Sequence, residues 1–340
     1  MFCALNLKRK RGLARIGLGL VLLAGLIFVP GCSEKGAPAT DQITVLLDWN
    51  PNTNYSGLFV AKDKGYYLEE GLDVKIEEAG GNVVPLVAAE KAQFGISYQE
   101  QVTFARLNEN IPIVSIAAIV QHNSSGFASL KEKGIETATD FEGKTYGSWG
   151  TEVEEATIKA LMDRAGADFN KVKIVTVGET DLFAVIDKLA DFAWIYYGWD
   201  GIEAELKGVE LNFIPLRELD PVFDYYTPVI ISNESLINEQ PELVKRFIRA
   251  TAKGYQLAIK NPTEAAEILL ENAPELDRDL VMASQDWLKD KYQDDAAQWG
   301  LQKKEAWENY SRWLLEHGLV DKMLDVENAF TNKFILEAAD

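Results

Sequence analysis

Between residues 43 and 232, short apolar runs alternate with longer amphipathic stretches, and this alternation restricts the fold more than any other feature of the chain. Apolar runs bounded by turn signals suit buried strands, whereas apolar residues recurring every three or four positions suit helices that cover a sheet. The expected strands are 43–47, 74–77, 94–97, 113–120, 144–148, 172–177, 192–196, 211–214 and 229–232. Between them, helices are expected at 55–64, 83–92, 102–108, 152–165, 182–189 and 202–206. Such alternation predicts an α/β architecture with parallel strands. After residue 232 the pattern turns wholly helical. Leu243, Phe247 and Ile248, then Trp307, Tyr310, Trp313 and Leu314, repeat at helical spacing and are expected in the core.

The N-terminal residues bear on where the chain folds. Lys8, Arg9, Lys10, Arg11 and Arg15 precede an apolar run at 16–29, and no acidic residue occurs before Glu34. A basic segment followed by a short apolar run is the pattern of a secretory signal, here expected to occupy 1–31. The run ends in Val29-Pro30-Gly31-Cys32, which resembles a bacterial lipobox. That resemblance implies a lipid-bearing Cys32, a flexible tether over 32–42 and a place on the outer face of the cytoplasmic membrane. The other cysteine, Cys3, lies in the segment expected to be removed, so thiol catalysis and cysteine-based metal or iron–sulfur sites are excluded.

About 300 residues beyond the signal exceed one comfortable core, so two lobes are expected. The chain is expected to cross between them near Ser124-Ser125-Gly126 and near Tyr226-Thr227-Pro228. Lobe 1 is then discontinuous, 43–125 plus 229–340, and lobe 2 spans 126–228, with a ligand cleft between them. The formal charge of −19 repels phosphate backbones and argues against nucleic acid as a partner.

Three stretches stand out as candidate ligand contacts. Asp48-Trp49-Asn50-Pro51-Asn52-Thr53-Asn54-Tyr55 follows the first strand and precedes a helix, where ligands of open α/β sheets bind. It offers the flat faces of Trp49 and Tyr55 and the amides of Asn50, Asn52 and Asn54. In the second stretch, Ser148-Trp149-Gly150-Thr151 precedes Glu152, Glu154 and Glu155, and Thr151 with Glu154 forms a capping box. The glutamates already fill that helix end with negative charge, so anions are disfavoured there and a neutral or amine-bearing ligand fits better. In the third, strand 192–196 runs into Tyr196-Tyr197-Gly198-Trp199. Tyr196 or Tyr197, with Trp199, is expected to face the cleft. Tyr98 follows another strand end and completes the set. His122, at the first crossing, is expected to touch either ligand or hinge. The histidines number two, and neither HExxH nor a nucleophile elbow nor a phosphate-binding loop occurs, so no catalytic residue, metal or cofactor is expected.

These stretches, with Tyr225-Tyr226-Thr227-Pro228-Val229 and the segment from Phe247 to Tyr255, resemble the thiamine-pyrimidine-precursor binding proteins of ABC importers, which are similar in fold to a pyrimidine synthase. The resemblance spans about 43–315. It implies a two-lobed type II periplasmic-binding-protein fold with a discontinuous first lobe, working as a monomer with an ABC permease and its ATPase. It also implies a small heteroaromatic ligand, a formylaminopyrimidine or hydroxymethylpyrimidine type of thiamine precursor. Riboflavin or another flat heterocycle is the alternative. The synthases carry a histidine where this chain has Tyr55, and a cysteine-rich motif that it lacks, so the reading is a receptor and not an enzyme. Trp49, Asn50, Asn52, Asn54, Tyr55, Tyr98, Ser148, Trp149, Glu152, Glu155, Tyr196, Tyr197 and Trp199 are the residues carried forward as ligand contacts.

Overall fold

Ten strands form two five-stranded sheets with helices packed on them. The structure is a computed structural model and describes residues 40–178 and 180–338. The signal segment, Cys32 and nearly all of the tether therefore lie outside the described residues. Among the described residues no helix is long and apolar enough to cross a membrane.

The first sheet contains β1 (Asp41–Leu47), β2 (Leu72–Glu78), β3 (Phe94–Ser97), β4 (Ile113–Ala118) and the last strand of the chain. The second contains β5 (Ser125–Leu130), β6 (Thr145–Ser148), β7 (Lys173–Thr176), β8 (Phe192–Tyr196) and β9 (Leu211–Pro215). The last strand, β10 (Val229–Asn233), returns to the first sheet, so the orders are β2-β1-β3-β10-β4 and β7-β6-β8-β5-β9. Each sheet has a parallel half, β2-β1-β3 in one and β7-β6-β8 in the other. Each also receives one reversed strand, β10 between β3 and β4 and β5 between β8 and β9.

This corrects the expectation of parallel sheets: both are mixed. The returning strand runs antiparallel to both of its neighbours, β3 and β4, after the chain has come back from the other sheet. β5 itself was not expected, because Ser125-Gly126-Phe127-Ala128-Ser129-Leu130 is rich in small residues and lies where a crossing was anticipated. Its composition suits a central strand with close neighbours. A side chain at Gly126 would meet the Ile214 carbonyl at 2.3 Å. The helix expected at 182–189 is one turn, Leu182–Val185.

The C-terminal apolar stripes are core. Leu243, Phe247 and Ile248 of the Pro241–Lys260 helix pack behind the first sheet, where Phe247 stacks on Phe94 with ring centres 3.8 Å apart. The same helix fixes the loop after β1. Gly254 lies against the Gly57 carbonyl, which an added Cβ would approach to 2.0 Å. The Tyr255 hydroxyl donates to the Asn54 carbonyl at 2.8 Å, and the Tyr292 hydroxyl donates to that of Thr53 at 2.6 Å. The Lys304–Glu316 helix serves both sheets: Trp307 joins the core beneath β10 and β4, while Tyr310, Trp313 and Leu314 join the core of the second sheet.

His122 lies where β4 leads to β5, beside the return path to β10. Its Nδ1 is 2.7 Å from an Asp224 carboxyl oxygen and its Nε2 is 3.2 Å from Asp295, while the backbone N–H and side-chain amide of Asn123 donate to Asp224 and to the Phe223 carbonyl. The hydrogen bond to Asp224 raises the His122 pKa against the opposing effect of burial. A histidine raised in the folded state stabilises fully below its unfolded value of about 6.5, and that contribution is lost as pH rises through the folded value. His122→Gln is therefore expected to cost more stability at pH 6 than at pH 9 in urea denaturation. An equal cost at both pH values would show that the proton is not part of the contact.

Candidate functional site

Loops leaving the C-terminal ends of β1, β3, β6, β7 and β8 converge, with the return crossing at 225–228, around a cavity of about 500 Å³. Strand ends of this kind leave backbone groups and exposed loops facing one crevice, which is where open α/β sheets bind ligands. A hollow of about 480 Å³ elsewhere is lined by five residues around Leu130 and Val209 and gathers no comparable set of aromatic and acidic groups.

The loop after β1 is rigid by its own chemistry. Asn52 caps the turn Thr53–Tyr55: its side-chain oxygen accepts from the Asn54 N–H at 2.9 Å, and its amide donates to the Asn50 carbonyl at 3.1 Å. Tyr55 is buried and its hydroxyl donates to Asp48 at 2.8 Å. Burial, reinforced by the Asp48 charge, pushes the Tyr55 hydroxyl well above its ordinary value, so it stays a donor. With those groups engaged, the Trp49 indole is left 39% exposed at the cavity, a costly position for a large apolar ring unless something covers it. The side-chain amides of Asn50 and Asn54 also line the cavity and are not held by other described residues.

The wall after β6 is built on Glu154. Its Oε1 accepts from the Tyr146 hydroxyl at 2.6 Å and the Trp149 N–H at 2.9 Å. Its Oε2 accepts from Ser148 Oγ, the Gly150 N–H, the Thr151 N–H and Thr151 Oγ1 at 3.0–3.2 Å. One buried side chain thus satisfies the donors of a whole strand-to-helix turn. That turn presents Trp149, whose ring lies parallel to Tyr196 with centres 6.2 Å apart.

After β8 the chain makes a wide turn over Tyr197–Gly201. Tyr196 faces the cavity and its hydroxyl is 3.1 Å from that of Thr227 on the return crossing. Asp200 accepts from the Tyr196 N–H at 3.1 Å, and burial raises its carboxyl to about 6. Trp199 reaches the cavity and packs against the core of the first sheet. Ser284 Oγ donates to the Gly198 carbonyl, a second tie between this turn and the C-terminal helices.

Nine of the expected contacts come together at this cavity: Trp49, Asn50, Asn52, Asn54, Tyr55, Tyr98, Trp149, Tyr196 and Trp199. Four do not line it. Ser148 is buried against Glu154, and Glu152 and Glu155 face solvent because the first helical turn commits Glu154 inward. Tyr197 turns away, packs on Phe213 and Trp287, and gives its hydroxyl to Glu205 at 2.5 Å. Glu100, Asp200, Tyr225 and Thr227 line the cavity and were not anticipated. The signal for Asp200 was present, since it follows Trp199 directly. His122 is at the crossing between the sheets, beside Asp224, and not in the lining.

The charge of the lining is one-sided. Asp48, Glu100, Glu154, Asp181, Asp200 and Glu203 contribute to it, and no lysine, arginine or histidine does among the described residues. Among these residues no cluster suited to a metal ion occurs either.

A family model described as NMT1/THI5 like matches residues 52–265. The chain belongs to this family. It is 30% identical to a formylaminopyrimidine-binding protein of Halalkalibacterium halodurans, over 92% of this chain and 97% of that protein. It is 26% identical to the riboflavin-binding protein RibY of Chloroflexus aurantiacus, over 89% and 88% of the two chains. A 4-amino-5-hydroxymethyl-2-methylpyrimidine phosphate synthase of Legionella pneumophila is 25% identical, over 86% and 92%. In fold the chain is similar to the periplasmic aliphatic sulphonate binding protein SsuA of Escherichia coli, with a TM-score of 0.67 at 12% identity over 86% and 92%. The α/β architecture with two mixed sheets is that of the periplasmic binding proteins, as the resemblance of the sequence motifs implied.

Glu154→Gln puts an amide N–H₂ where at least two donors now point, leaving buried donors without an acceptor. Hydrogen bonds to a charged group contribute about 1.5–3 kcal/mol each, so this variant is expected to lose about 3 kcal/mol in chemical denaturation. Glu152→Gln and Glu155→Gln, both exposed, are expected to be near neutral in the same measurement.

Proposed function

We propose that this chain is the solute-binding component of an ABC importer and that it carries a thiamine pyrimidine precursor of the formylaminopyrimidine or hydroxymethylpyrimidine type. The observation behind this reading is the pairing of flat aromatic faces with a lining that, among the described residues, holds carboxyl groups and no cationic side chain. A planar, neutral, amine-bearing ring suits such a cavity; a sulfonate, nitrate or phosphate does not, because no positive group compensates its desolvation. The similarity to a formylaminopyrimidine-binding protein supports the same ligand class.

In this reading Trp49 covers one face of the ring, and Trp149 with Tyr196 supplies the opposing aromatic wall. Asn50 and Asn54 offer free amides to its nitrogens. The segments 43–125 with 229–340, and 126–228, act as lobes that close on the ligand by hinge motion about residues 122–125 and 224–228. Lipidation at Cys32 would tether the receptor outside the cytoplasmic membrane, where it hands its ligand, as a monomer, to a permease driven by a cytoplasmic ATPase. Binding without turnover is favoured over a synthase activity. Tyr55 stands where the synthases have histidine, and its hydroxyl is committed to Asp48.

A second reading, a riboflavin receptor, is favoured by the similarity to RibY and by the same aromatic lining. A thermal-shift screen of the chain from Ser33 onward separates the two, because a ligand that binds the folded state raises its melting temperature. A rise with aminopyrimidines and none with sulfonates or sulfate is expected. A rise with riboflavin alone would keep the receptor role and reassign its ligand. Stacking is worth about 0.5–1.5 kcal/mol beyond area burial, so Trp49→Ala is expected to weaken the aminopyrimidine about tenfold by calorimetric titration. Unchanged affinity would remove Trp49 from the site.

A further inference from the structure

Among the described residues six carboxyl groups line the cavity, and five of them are occupied. Glu154 accepts six hydrogen bonds, and Asp181 caps its helix through the Phe183 and Ala184 N–H groups. Asp48 takes the Tyr55 hydroxyl, Asp200 takes the Tyr196 N–H, and Glu203 is paired with Lys207. Glu100 is different. Its one hydrogen bond is a long one, from the Tyr310 hydroxyl to Oε2 at 3.3 Å, and no basic side chain pairs with it among the described residues. The groups that face it are the hydroxyls of Tyr196, Tyr225 and Tyr310 and the carboxyl of Glu154. Burial there holds its pKa at about 7, so near neutrality the group is divided between acid and carboxylate.

We propose that Glu100 is a specificity-determining residue that recognises the amidine edge of the ligand, the ring nitrogen and the adjacent exocyclic amino group, with a single proton shared between carboxyl and ring. The proposal rests on the aminopyrimidine reading above. Tyr310 donates to Oε2 and so leaves Oε1 as the oxygen that carries the proton. Oε1–H then donates to the ring nitrogen, while Oε2 accepts from the exocyclic N–H and from Tyr310 through its two lone pairs. If the proton moves to the ring, the same two hydrogen bonds join a carboxylate to an aminopyrimidinium. The atom count is unchanged, and the bonds become charge-assisted. In both forms the complex holds one proton. A neutral ligand therefore takes up a proton on binding wherever the empty site has lost its own. An oxo-bearing edge in place of the amine sets acceptor against acceptor at Oε2, loses the second hydrogen bond and is discriminated against.

The test is calorimetric titration of the chain from Ser33 onward with 4-amino-5-hydroxymethyl-2-methylpyrimidine between pH 6.5 and 9. For the wild type, Kd is expected to weaken above about pH 7, approaching tenfold per pH unit, with net proton uptake at pH 8 seen as a dependence on buffer ionisation heat. A slope that arose from Asp200, whose carboxyl burial raises to about 6, would persist when Glu100 is replaced, so the Glu100→Gln profile separates the two acids. Glu100→Gln presents an amide N–H to the ring nitrogen and a carbonyl to the amine but cannot titrate. It is expected to bind within a few-fold of the wild type at pH 7 and to show a flat Kd to pH 9. Glu100→Ala is expected to lose tenfold or more. A flat wild-type profile, or a slope that survives in Glu100→Gln, would overturn the assignment while leaving the receptor reading intact. The wild-type profile needs no variant, so a folding defect cannot mask the result. If the pyrimidine fails to bind at every pH while riboflavin binds, the ligand reading itself is wrong and Glu100 falls with it.

Discussion

One buried carboxyl group shapes the ligand-facing side of the second sheet. At the end of β6 the chain must turn from strand to helix, and that turn leaves several backbone N–H groups without intrachain partners. Glu154 collects the Trp149, Gly150 and Thr151 donors together with three side-chain hydroxyls. The direction of Trp149, its parallel placement beside Tyr196 and the outward orientation of Glu152 and Glu155 all follow from this commitment. On the first sheet Asn52 and Asp48 play the corresponding part, fixing the turn after β1 so that Trp49 is presented and not buried. In both walls polar side chains consume the local backbone donors, and the aromatic surface left over faces the cavity.

The acids of the lining divide by this logic into those spent on architecture and those left for a ligand. Glu154, Asp181, Asp48, Asp200 and Glu203 are spent, and Glu100 is left. Desolvation without a cation is what holds Glu100 and Asp200 above the ordinary carboxyl range, to about 7 and about 6. A lysine or arginine nearby would have reversed that effect and filled the cavity with a permanent ion pair. The absence of cations from the lining is thus a positive property. It denies an anion the only partner that would offset its dehydration, although the fold is shared with a sulphonate-binding protein.

Much of this was legible in the residues, for identifiable reasons. The nine anticipated strands were written in contiguous apolar runs, and the loops after β1, β6 and β8 declared themselves because tryptophan and tyrosine sat in turns rich in glycine and asparagine. β5 escaped because Ser125, Gly126, Ala128 and Ser129 carry no hydrophobic pattern; at Gly126 the small size is demanded by the Ile214 carbonyl and the Phe213 ring, which a linear pattern does not reveal. Glu152 and Glu155 were preferred over Glu154 as contacts because charge near a helix start is visible in sequence, whereas the direction of each side chain depends on which one closes the capping box. Tyr197 was favoured alongside Tyr196 because strand alternation stops at Tyr196, and the wide turn that follows sends the next ring outward. Glu100 showed no motif at all. Its environment is made by Tyr310, more than two hundred positions away.

That last contact also bears on how the two sheets work together. Tyr310 belongs to the Lys304–Glu316 helix, whose apolar face is divided: Trp307 packs under the first sheet, and Trp313 and Leu314 pack with the second. Between them the Tyr310 ring lies against Tyr225 on the return crossing, with centres 4.5 Å apart, and its hydroxyl meets the cavity through Glu100. A helix that is part of both cores cannot follow one sheet without straining its contacts with the other. Tyr310 is thereby tied to both sheets at the point where its hydroxyl meets Glu100. Burial raises the Glu100 pKa, and the hydrogen bond from that hydroxyl opposes the rise. Ligand recognition at Glu100 and the relative placement of the two sheets are in this way parts of one hydrogen-bonded unit.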